Sequence, residues 1–189
     1  MSKKIKDYLK VYDDFIDLKL CKKVVKKLNK NKEWNLHSYF NYPERKNFSY
    51  DKELSTCVDY SMPETDLLNK LVYSAITRYL SEIPKEYPNQ FISRASHIRY
   101  NKYQVGTMMR LHYDHIHTLF DGSEKGVPIL SILGGLNNDY EGGELIFWGD
   151  TPIELKEGSI MVFPSNFLYP HQVDEVTKGA RYSFVAWAW

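Results

Sequence analysis

Residues 180–189, ARYSFVAWAW, are the most strand-like segment of the sequence. Aromatic and β-branched residues favour extended backbone, and the side chains along a strand alternate between its two faces. Four other segments share this character: ISRASHIRYNKY (92–103), GVPILSIL (126–133), GGELIFW (142–148) and GSIMVF (158–163). Turn dipeptides separate them and no helical pattern intervenes, which is typical of an antiparallel sandwich or barrel. We therefore predict a jelly roll over residues 91–189.

The part of the chain before these strands is predicted to be mainly helical. Apolar side chains recur at helical spacing from Phe15 to Leu28, and Asp13-Asp14 is placed to cap the start of that helix. The Asn-Lys-Asn at 29–31 is expected to end it. Residues 34–40, WNLHSYF, then alternate in the manner of a short strand.

A second helix is predicted to begin at Ser61. Ser61 and Glu64 have the spacing of a capping box, and Pro63 lies in the first turn. Its apolar stripe comprises Leu67, Leu68, Leu71, Val72, Ala75, Ile76, Tyr79 and Leu80, and Pro84 and Pro88 are expected to end it. We expect both helices to pack against the back of the sheet.

The length of the chain, 189 residues, suits one domain with a sizeable core and is short for two. The predicted fold class is therefore mainly β with N-terminal helices (α+β), a double-stranded β-helix (jelly roll) supported by helices. We predict a single domain over residues 1–189, with a helical buttress over 1–90 and the jelly-roll core over 91–189.

Composition excludes several classes of protein. Hydrophobic residues make up 43% of the chain, which argues against disorder, and a net charge of +1 makes nucleic acid an unlikely partner. Residues 1–32 hold 11 lysines and four aspartates. We interpret this excess of lysine as a solvated helix face, because no arginine or aromatic residue is interleaved with the lysines between Lys19 and Lys32.

The cellular setting is predicted by elimination. Cys21 and Cys57 form neither a CxxC pair nor a zinc pattern. No apolar run approaches the roughly 18 residues of a membrane span, and the N-terminal Met-Ser-Lys-Lys has no signal-peptide character. We expect a cytoplasmic protein with no membrane partner.

A candidate metal centre begins in RLHYDH at 110–115. His112 and Asp114 are two residues apart, so on a strand their side chains point to the same face. His171 in LYPHQV (168–173) is the best candidate for a third ligand. Two histidines and one carboxylate suit a non-haem iron(II) ion with open positions. The alternative is that His112 is a core histidine and Asp114 caps a turn.

Arg181 and Ser183 share one face of the C-terminal strand. If that face is buried, the guanidinium needs an anion, because an unpaired buried charge costs several kcal/mol. A carboxylate ligand would satisfy it, with the Ser183 hydroxyl donating a further hydrogen bond. In the alternative, Arg181 faces solvent and Tyr182 faces the core.

The order of these motifs resembles the iron(II)/2-oxoglutarate-dependent dioxygenase superfamily, specifically its prolyl 4-hydroxylase-like branch. The matching elements are the HxD pair, the distant histidine and the Arg-x-Ser about ten residues after it. Three further stretches match: Tyr103-x-x-Gly106, DYEGGELIF (139–147) and KEGSIMVFPS (156–165). The resemblance runs from about Ile98 to the C-terminus, roughly half of the chain.

The resemblance implies a role for each matched residue. It implies that His112, Asp114 and His171 bind iron and form the catalytic centre. It also implies that Arg181, assisted by Ser183, pairs with the distal carboxylate of 2-oxoglutarate, and that Tyr103 hydrogen-bonds this cosubstrate. The implied cofactors are Fe(II), 2-oxoglutarate, O2 and ascorbate, and the implied reaction hydroxylates a C–H bond and yields succinate and CO2.

The substrate is left open by the sequence. A peptidyl proline is the first hypothesis, and a free amino acid or other small molecule is the second. A non-catalytic metal-binding jelly roll is the alternative from a different class of protein.

Several other residues have weaker patterns. His115 and His117 are expected at the rim or surface, and His37 lies far from any motif. His97 and Arg99 share strand parity with Tyr103 and would line a pocket if no bulge intervenes. Trp148 and Trp187 would form either a substrate wall or part of the core, and Glu144 would bind substrate or lie in a solvated hairpin.

Overall fold

The computed structural model describes residues 4–41, 43–83, 92–114 and 128–189. Within these ranges a short 3₁₀ helix at Ile5–Tyr8 precedes two α-helices and fourteen strands. The helices are α1 (Leu18–Leu28) and α2 (Pro63–Glu82). The strands are β1 (Lys10–Tyr12), β2 (Asn35–Leu36), β3 (Tyr39–Asn41), β4 (Lys46–Phe48), β5 (Ser55–Cys57), β6 (Arg99–Gln104), β7 (Met109–His112), β8 (Leu130–Gly135), β9 (Tyr140–Gly142), β10 (Leu145–Phe147), β11 (Thr151–Ile153), β12 (Ile160–Pro164), β13 (His171–Val173) and β14 (Val176–Ala188).

Two antiparallel sheets face each other. The larger has the order β1-β12-β8-β14-β6-β5-β2, with β9 beside β14, and the smaller has the order β11-β10-β13-β7. Strands β3 and β4 form a separate hairpin. Strands that are consecutive in the sequence repeatedly lie in different sheets, as a double-stranded β-helix requires. The predicted jelly roll with supporting helices is confirmed.

Strand β14 is buried on both faces, which the alternation of ARYSFVAWAW explains. Tyr182 and Phe184 point outward into a core shared with both helices, while Val185 and Trp187 point inward toward the smaller sheet. The helix residues in the outer core include Cys21, Val24 and Leu28 of α1 and Leu68, Val72, Ala75, Ile76 and Tyr79 of α2. Burial of each large apolar side chain contributes about 1.5–3 kcal/mol. The helices therefore pack on the back of the sheet, as predicted.

Helix α1 begins later than predicted, and its cap is a different aspartate. Asp17 Oδ1 accepts hydrogen bonds from the backbone N–H groups of Lys19 (2.8 Å) and Leu20 (3.1 Å). The predicted cap at Asp13-Asp14 is wrong, because Asp13 instead accepts a hydrogen bond from the Ser159 hydroxyl at 2.7 Å. The predicted end of the helix is confirmed, since α1 terminates at Leu28.

Helix α2 starts at Pro63, but the predicted capping box is wrong. The N-cap residue is Met62, which provides no side-chain hydrogen bond. Ser61 donates instead to Asp59, and Glu64 pairs with two lysines of α1. Glu64 is therefore a link between the helices. The helix extends to Glu82, and the predicted terminators Pro84 and Pro88 lie outside the described residues.

The N-terminal half contributes strands as well as helices. Strands β1, β2 and β5 extend the larger sheet, and the β3–β4 hairpin lies next to β7. The predicted strand at 34–40 is divided between β2 and β3, which belong to different sheets. Among the described helices, none has the length and apolar character needed to cross a membrane.

Candidate active site

Three predicted ligands meet between the sheets. Strand β7 ends at His112 and β13 begins at His171, and these two residues lie opposite each other in the antiparallel pairing. Asp114 follows β7 by two residues, and its Oδ1 lies 3.5 Å from His112 Nε2 and 3.9 Å from His171 Nε2. The candidate ligand atoms all lie within 4.8 Å of one another. One ion could contact all three.

The hydrogen bonds of both imidazoles leave Nε2 available. His112 Nδ1 lies 2.7 Å from the Arg110 carbonyl oxygen, and His171 Nδ1 lies 3.1 Å from that of Tyr169. A carbonyl only accepts, so each Nδ1 carries the proton and each Nε2 carries a lone pair. His112 Nε2 is buried, and no described residue forms a hydrogen bond with it. A buried nitrogen of this kind is costly unless a metal occupies the space in front of it.

Asp114 is a buried carboxylate that remains ionised. Burial opposes its charge, but the nearby His112 and His171 imidazoles and the hydrogen bond from the Ser131 hydroxyl together hold its pKa below its usual range. Ser131 Oγ donates to Asp114 Oδ2 at 2.6 Å and also contacts the Ser165 hydroxyl. The carboxylate is therefore both charged and fixed in orientation.

Aromatic rings enclose His171. The Phe147 ring is stacked on the imidazole at 5.0 Å, and the Phe163 ring meets it edge-on at 5.2 Å. Burial, together with the nearby charge of His112, lowers the pKa of His171 to about 4. The imidazole is therefore neutral at physiological pH, which is the state that binds a metal.

The second predicted cluster faces the same interior. Arg181 is 3% exposed, so the alternative in which it faces solvent is wrong. Tyr182 is equally buried on the opposite face of β14, because this strand is covered on both sides. Arg181 Nη1 donates to Ser183 Oγ at 3.3 Å, and the guanidinium carbon lies 5.0 Å from the ring centre of Tyr103, its cross-strand partner.

Arg181 has no counter-ion in the part of the chain that the structure describes. Among the residues that the structure describes, none supplies a carboxylate that pairs with its guanidinium. Its donors are directed at Ser183 and at Tyr103, whose pKa is raised by burial. A buried, unpaired guanidinium is several kcal/mol less stable than a paired one, so this cluster fits a carboxylate ligand.

Sequence reasoning missed several neighbours of the centre. Ser131 has no motif, and only its place on β8 opposite Trp187 brings it to Asp114. His37 lies closer to the centre than predicted, since the groups that act on it include Arg99 and His112. Burial, followed by the charges of these two residues, lowers the pKa of His37 to about 3. Tyr39 places its ring 6.4 Å from that of His112.

The outcome for the weaker patterns is mixed. His97 is exposed and contacts Asn69 and Tyr60, so it does not line the interior, whereas Arg99 does. Trp187 belongs to the inner core, and Glu144 is exposed. His115 and His117 lie outside the described residues.

A double-stranded β-helix with two histidines and one aspartate at one interior point defines the class of mononuclear non-haem iron oxygenases. Residues 98–189 match the family model described as the 2OG-Fe(II) oxygenase superfamily. Over these residues the chain is similar to this superfamily, whose members use Fe(II) and 2-oxoglutarate.

Individual relatives agree with this assignment. A PKHD-type hydroxylase from Idiomarina loihiensis is 30% identical over 124 residues, which are 64% of this chain and 50% of that protein. The solved prolyl-4-hydroxylase of Pseudomonas putida superposes with a TM-score of 0.71 at 15% identity, covering 96% of this chain and 91% of that one. A Trichoplax adhaerens prolyl hydroxylase, solved in complex with a hypoxia inducible factor peptide fragment, also superposes with a TM-score of 0.71, at 16% identity and with coverage of 96% and 83%.

These comparisons differ in what they cover. The chain spans about half the length of the curated relatives it matches. The solved structures are matched over nearly the whole chain, and at such low identity they establish the fold.

Proposed function

We propose that the protein is an Fe(II)- and 2-oxoglutarate-dependent dioxygenase that hydroxylates a C–H bond of its substrate and releases succinate and CO2. The observation that carries this proposal is the buried His112 Nε2, which faces Asp114 and His171 and has no hydrogen-bond partner among the described residues. A catalytically idle jelly roll has no need of such a centre beside a buried arginine that has no counter-ion within the described ranges. The two clusters together fit a metal and a dicarboxylate.

In this proposal His112, Asp114 and His171 hold the iron, and the iron with 2-oxoglutarate and O2 supplies the oxidising chemistry. The protein supplies orientation. The Arg110 and Tyr169 carbonyls fix the imidazole tautomers, and so hold each Nε2 lone pair toward the ion.

The cosubstrate site in this proposal is built on β14 and β6. The Arg181 guanidinium binds the distal carboxylate of 2-oxoglutarate, Ser183 donates a hydrogen bond, and the Tyr103 hydroxyl binds the same cosubstrate. Phe147 and Phe163 exclude water around His171 and keep the interior dry.

For the substrate we propose two classes. A peptidyl proline is supported by the fold shared with prolyl hydroxylases and by an aromatic cavity of about 480 Å³ beside His112, whose lining includes Tyr39, Phe48 and Tyr50. Aromatic faces suit an apolar ring and an extended peptide. A free amino acid or another small molecule is the second class, which the position of Arg99 favours.

The test is uncoupled turnover. The protein is first loaded with Fe(II) in the absence of oxygen. It is then mixed with 2-oxoglutarate, ascorbate and air, and the succinate formed is measured. We expect succinate from the wild type and from His97→Ala, an exposed histidine outside the centre, but not from Asp114→Ala. Equal succinate from Asp114→Ala would refute the ligand set. A second outcome would also refute the proposal. If the wild type formed no succinate, and if Mn(II) and 2-oxoglutarate failed to bind to it together, the non-catalytic jelly roll would replace this proposal.

A further inference from the structure

A second arginine faces the same interior as Arg181. Arg99 lies on β6, four residues before Tyr103 and therefore on the same face of the sheet. In the β6–β14 register Tyr103 is opposite Arg181, whereas Arg99 is opposite Val185. The two arginine positions are thus separated along the strands by roughly 13 Å, at about 3.3 Å per residue.

The guanidinium of Arg99 is only partly satisfied. Its Nε donates to Asn101 Oδ1 at 3.2 Å, and its Cζ lies 5.1 Å from the ring centre of Trp187. It forms no ion pair with a carboxylate anywhere in the described ranges. Arg99 is half-buried, and burial lowers its pKa. Its remaining N–H groups are available to a ligand.

A second unused donor lies next to it. The Trp187 side chain is 5% exposed, and its indole Nε1–H is buried without a hydrogen-bond partner among the residues described. Trp187 is opposite Ser131 in the β14–β8 pairing, and Ser131 holds Asp114. Arg99 and Trp187 therefore lie beside the metal centre.

Among the residues that the structure describes, none provides an anion for Arg99. The ionisable side chains whose charges act on it are Tyr103, Asp114 and Tyr39. Asp114 Oδ2 accepts a hydrogen bond from Ser131 and its Oδ1 faces His112 and His171, and burial raises the pKa of both tyrosines, which remain neutral. His37 carries no negative charge. Within the described ranges the Arg99 cation therefore has no carboxylate partner.

We propose that Arg99, assisted by the Trp187 N–H, binds a carboxylate of the substrate, so that the substrate is a free amino acid or another small carboxylic acid. This inference rests on the proposed function and narrows it. In the proposed function the cosubstrate would not need Arg99, because Arg181 would bind its distal carboxylate and the iron held by the three candidate ligands would take its other end. An internal peptidyl proline offers only neutral carbonyls, which would leave the Arg99 charge unpaired in a half-buried site.

The experiment compares acids with their amides. Fe(II)-loaded protein is given 2-oxoglutarate and one of three panels: free L-amino acids, the same amino acids as N-acetylated primary amides, and proline peptides that have capped ends and no acidic residues. Stimulation of succinate formation above the substrate-free rate is measured for wild type, Arg99→Leu and the control Arg78→Leu. Arg78 is an exposed arginine of α2 paired with Glu82.

We expect stimulation from the free acids alone. Arg99→Leu is expected to need at least tenfold more acid for half-maximal stimulation, and Arg78→Leu to behave as wild type. Stimulation by the amides or capped peptides, or none by any acid, would overturn the inference. So would an unchanged response in Arg99→Leu.

A binding measurement separates this inference from the proposed function. 2-Oxoglutarate is titrated into Mn(II)-loaded protein without oxygen. If wild type fails to bind it, the proposed function falls. If Arg99→Leu weakens this binding as strongly as Arg181→Leu, Arg99 belongs to the cosubstrate site and the inference is wrong.

Discussion

Ser131 Oγ lies 2.6 Å from Asp114 Oδ2, while the other oxygen of that carboxylate, Oδ1, faces both His112 and His171. One oxygen is thus used for orientation and the other is left for an ion. Ser131 is itself completely buried and also contacts Ser165. A buried serine at this position fixes the plane of the carboxylate before any metal arrives.

Replacement of Ser131 by alanine is expected to weaken metal binding at least tenfold, because outer hydrogen bonds to a ligating carboxylate have about this effect. The measurement is a titration of the purified protein with Mn(II) or Co(II). Ser74→Ala, on the exposed face of α2, is the matched control. Unchanged affinity in Ser131→Ala would mean that packing alone orients Asp114.

Arg181→Leu is expected to raise the Kd for 2-oxoglutarate about 100-fold, which corresponds to about 2.7 kcal/mol. Leucine keeps the apolar volume and removes the unpaired charge, so the fold should persist. The Kd for Mn(II) should change less than threefold, because Arg181 contacts none of the three ligands. Both constants come from calorimetric titration, with Arg78→Leu as control. Equal loss of metal and 2-oxoglutarate binding would indicate general damage to the fold.

Strand alternation is a local property, and the ARYSFVAWAW pattern therefore predicted that Arg181 and Ser183 share one face of β14. The His-x-Asp spacing predicted that His112 and Asp114 lie close together, as they do, although Asp114 lies two residues beyond the end of β7. The sequence could not predict that both faces of β14 are covered, since the covering elements are distant in sequence. Ser131 and His37 reach the site for the same reason: strand pairing and chain path bring them there, and no short motif marks them.

Helix starts show a different limit of sequence reasoning. Asp13, Asp17 and Ser61 all have suitable cap chemistry, and only tertiary partners decide among them. Asp13 accepts a hydrogen bond from Ser159, so it does not cap α1. Glu64 forms ion pairs with two lysines of α1 and so takes no part in a capping box. The lysine-rich segment, read as a solvated face, thus also has a structural role through Lys23 and Lys27.

Glu64→Gln is expected to reduce the free energy of unfolding at neutral pH by about 1–2 kcal/mol, because Glu64 accepts charged hydrogen bonds from Lys23 (2.7 Å) and Lys27 (2.6 Å). These bonds lower the pKa of Glu64 to about 2. A pKa lower in the folded state than in the unfolded state stabilises the fold above the unfolded value of about 4.3. That contribution is lost as the pH falls toward 2.

Urea unfolding measured at several pH values between 7 and 3 tests this expectation. The wild type should lose stability faster than Glu64→Gln as the pH falls below about 4.3. Glu82→Gln, which removes an exposed pair with Arg78, should keep the wild-type slope. Parallel slopes for wild type and Glu64→Gln would show that other carboxylates account for the acid sensitivity.

Gly143→Ala tests how the EGGEL turn supports the cosubstrate site. Gly143 has φ +68°, and an added Cβ would lie 2.9 Å from Val176 Cγ2 and 3.2 Å from Arg181 Cδ. Gly149 has φ +82° with nothing within 4 Å of an added Cβ, so Gly149→Ala carries the backbone strain without the collision. We expect Gly143→Ala to be about 1–3 kcal/mol less stable than Gly149→Ala in urea unfolding. We also expect Gly143→Ala, but not Gly149→Ala, to raise the Kd for 2-oxoglutarate severalfold, because the collision displaces the Arg181 side chain. If the two alanine variants lose equal stability and both bind 2-oxoglutarate normally, the turn serves only to reverse the chain, and its contact with Arg181 has no part in positioning the guanidinium.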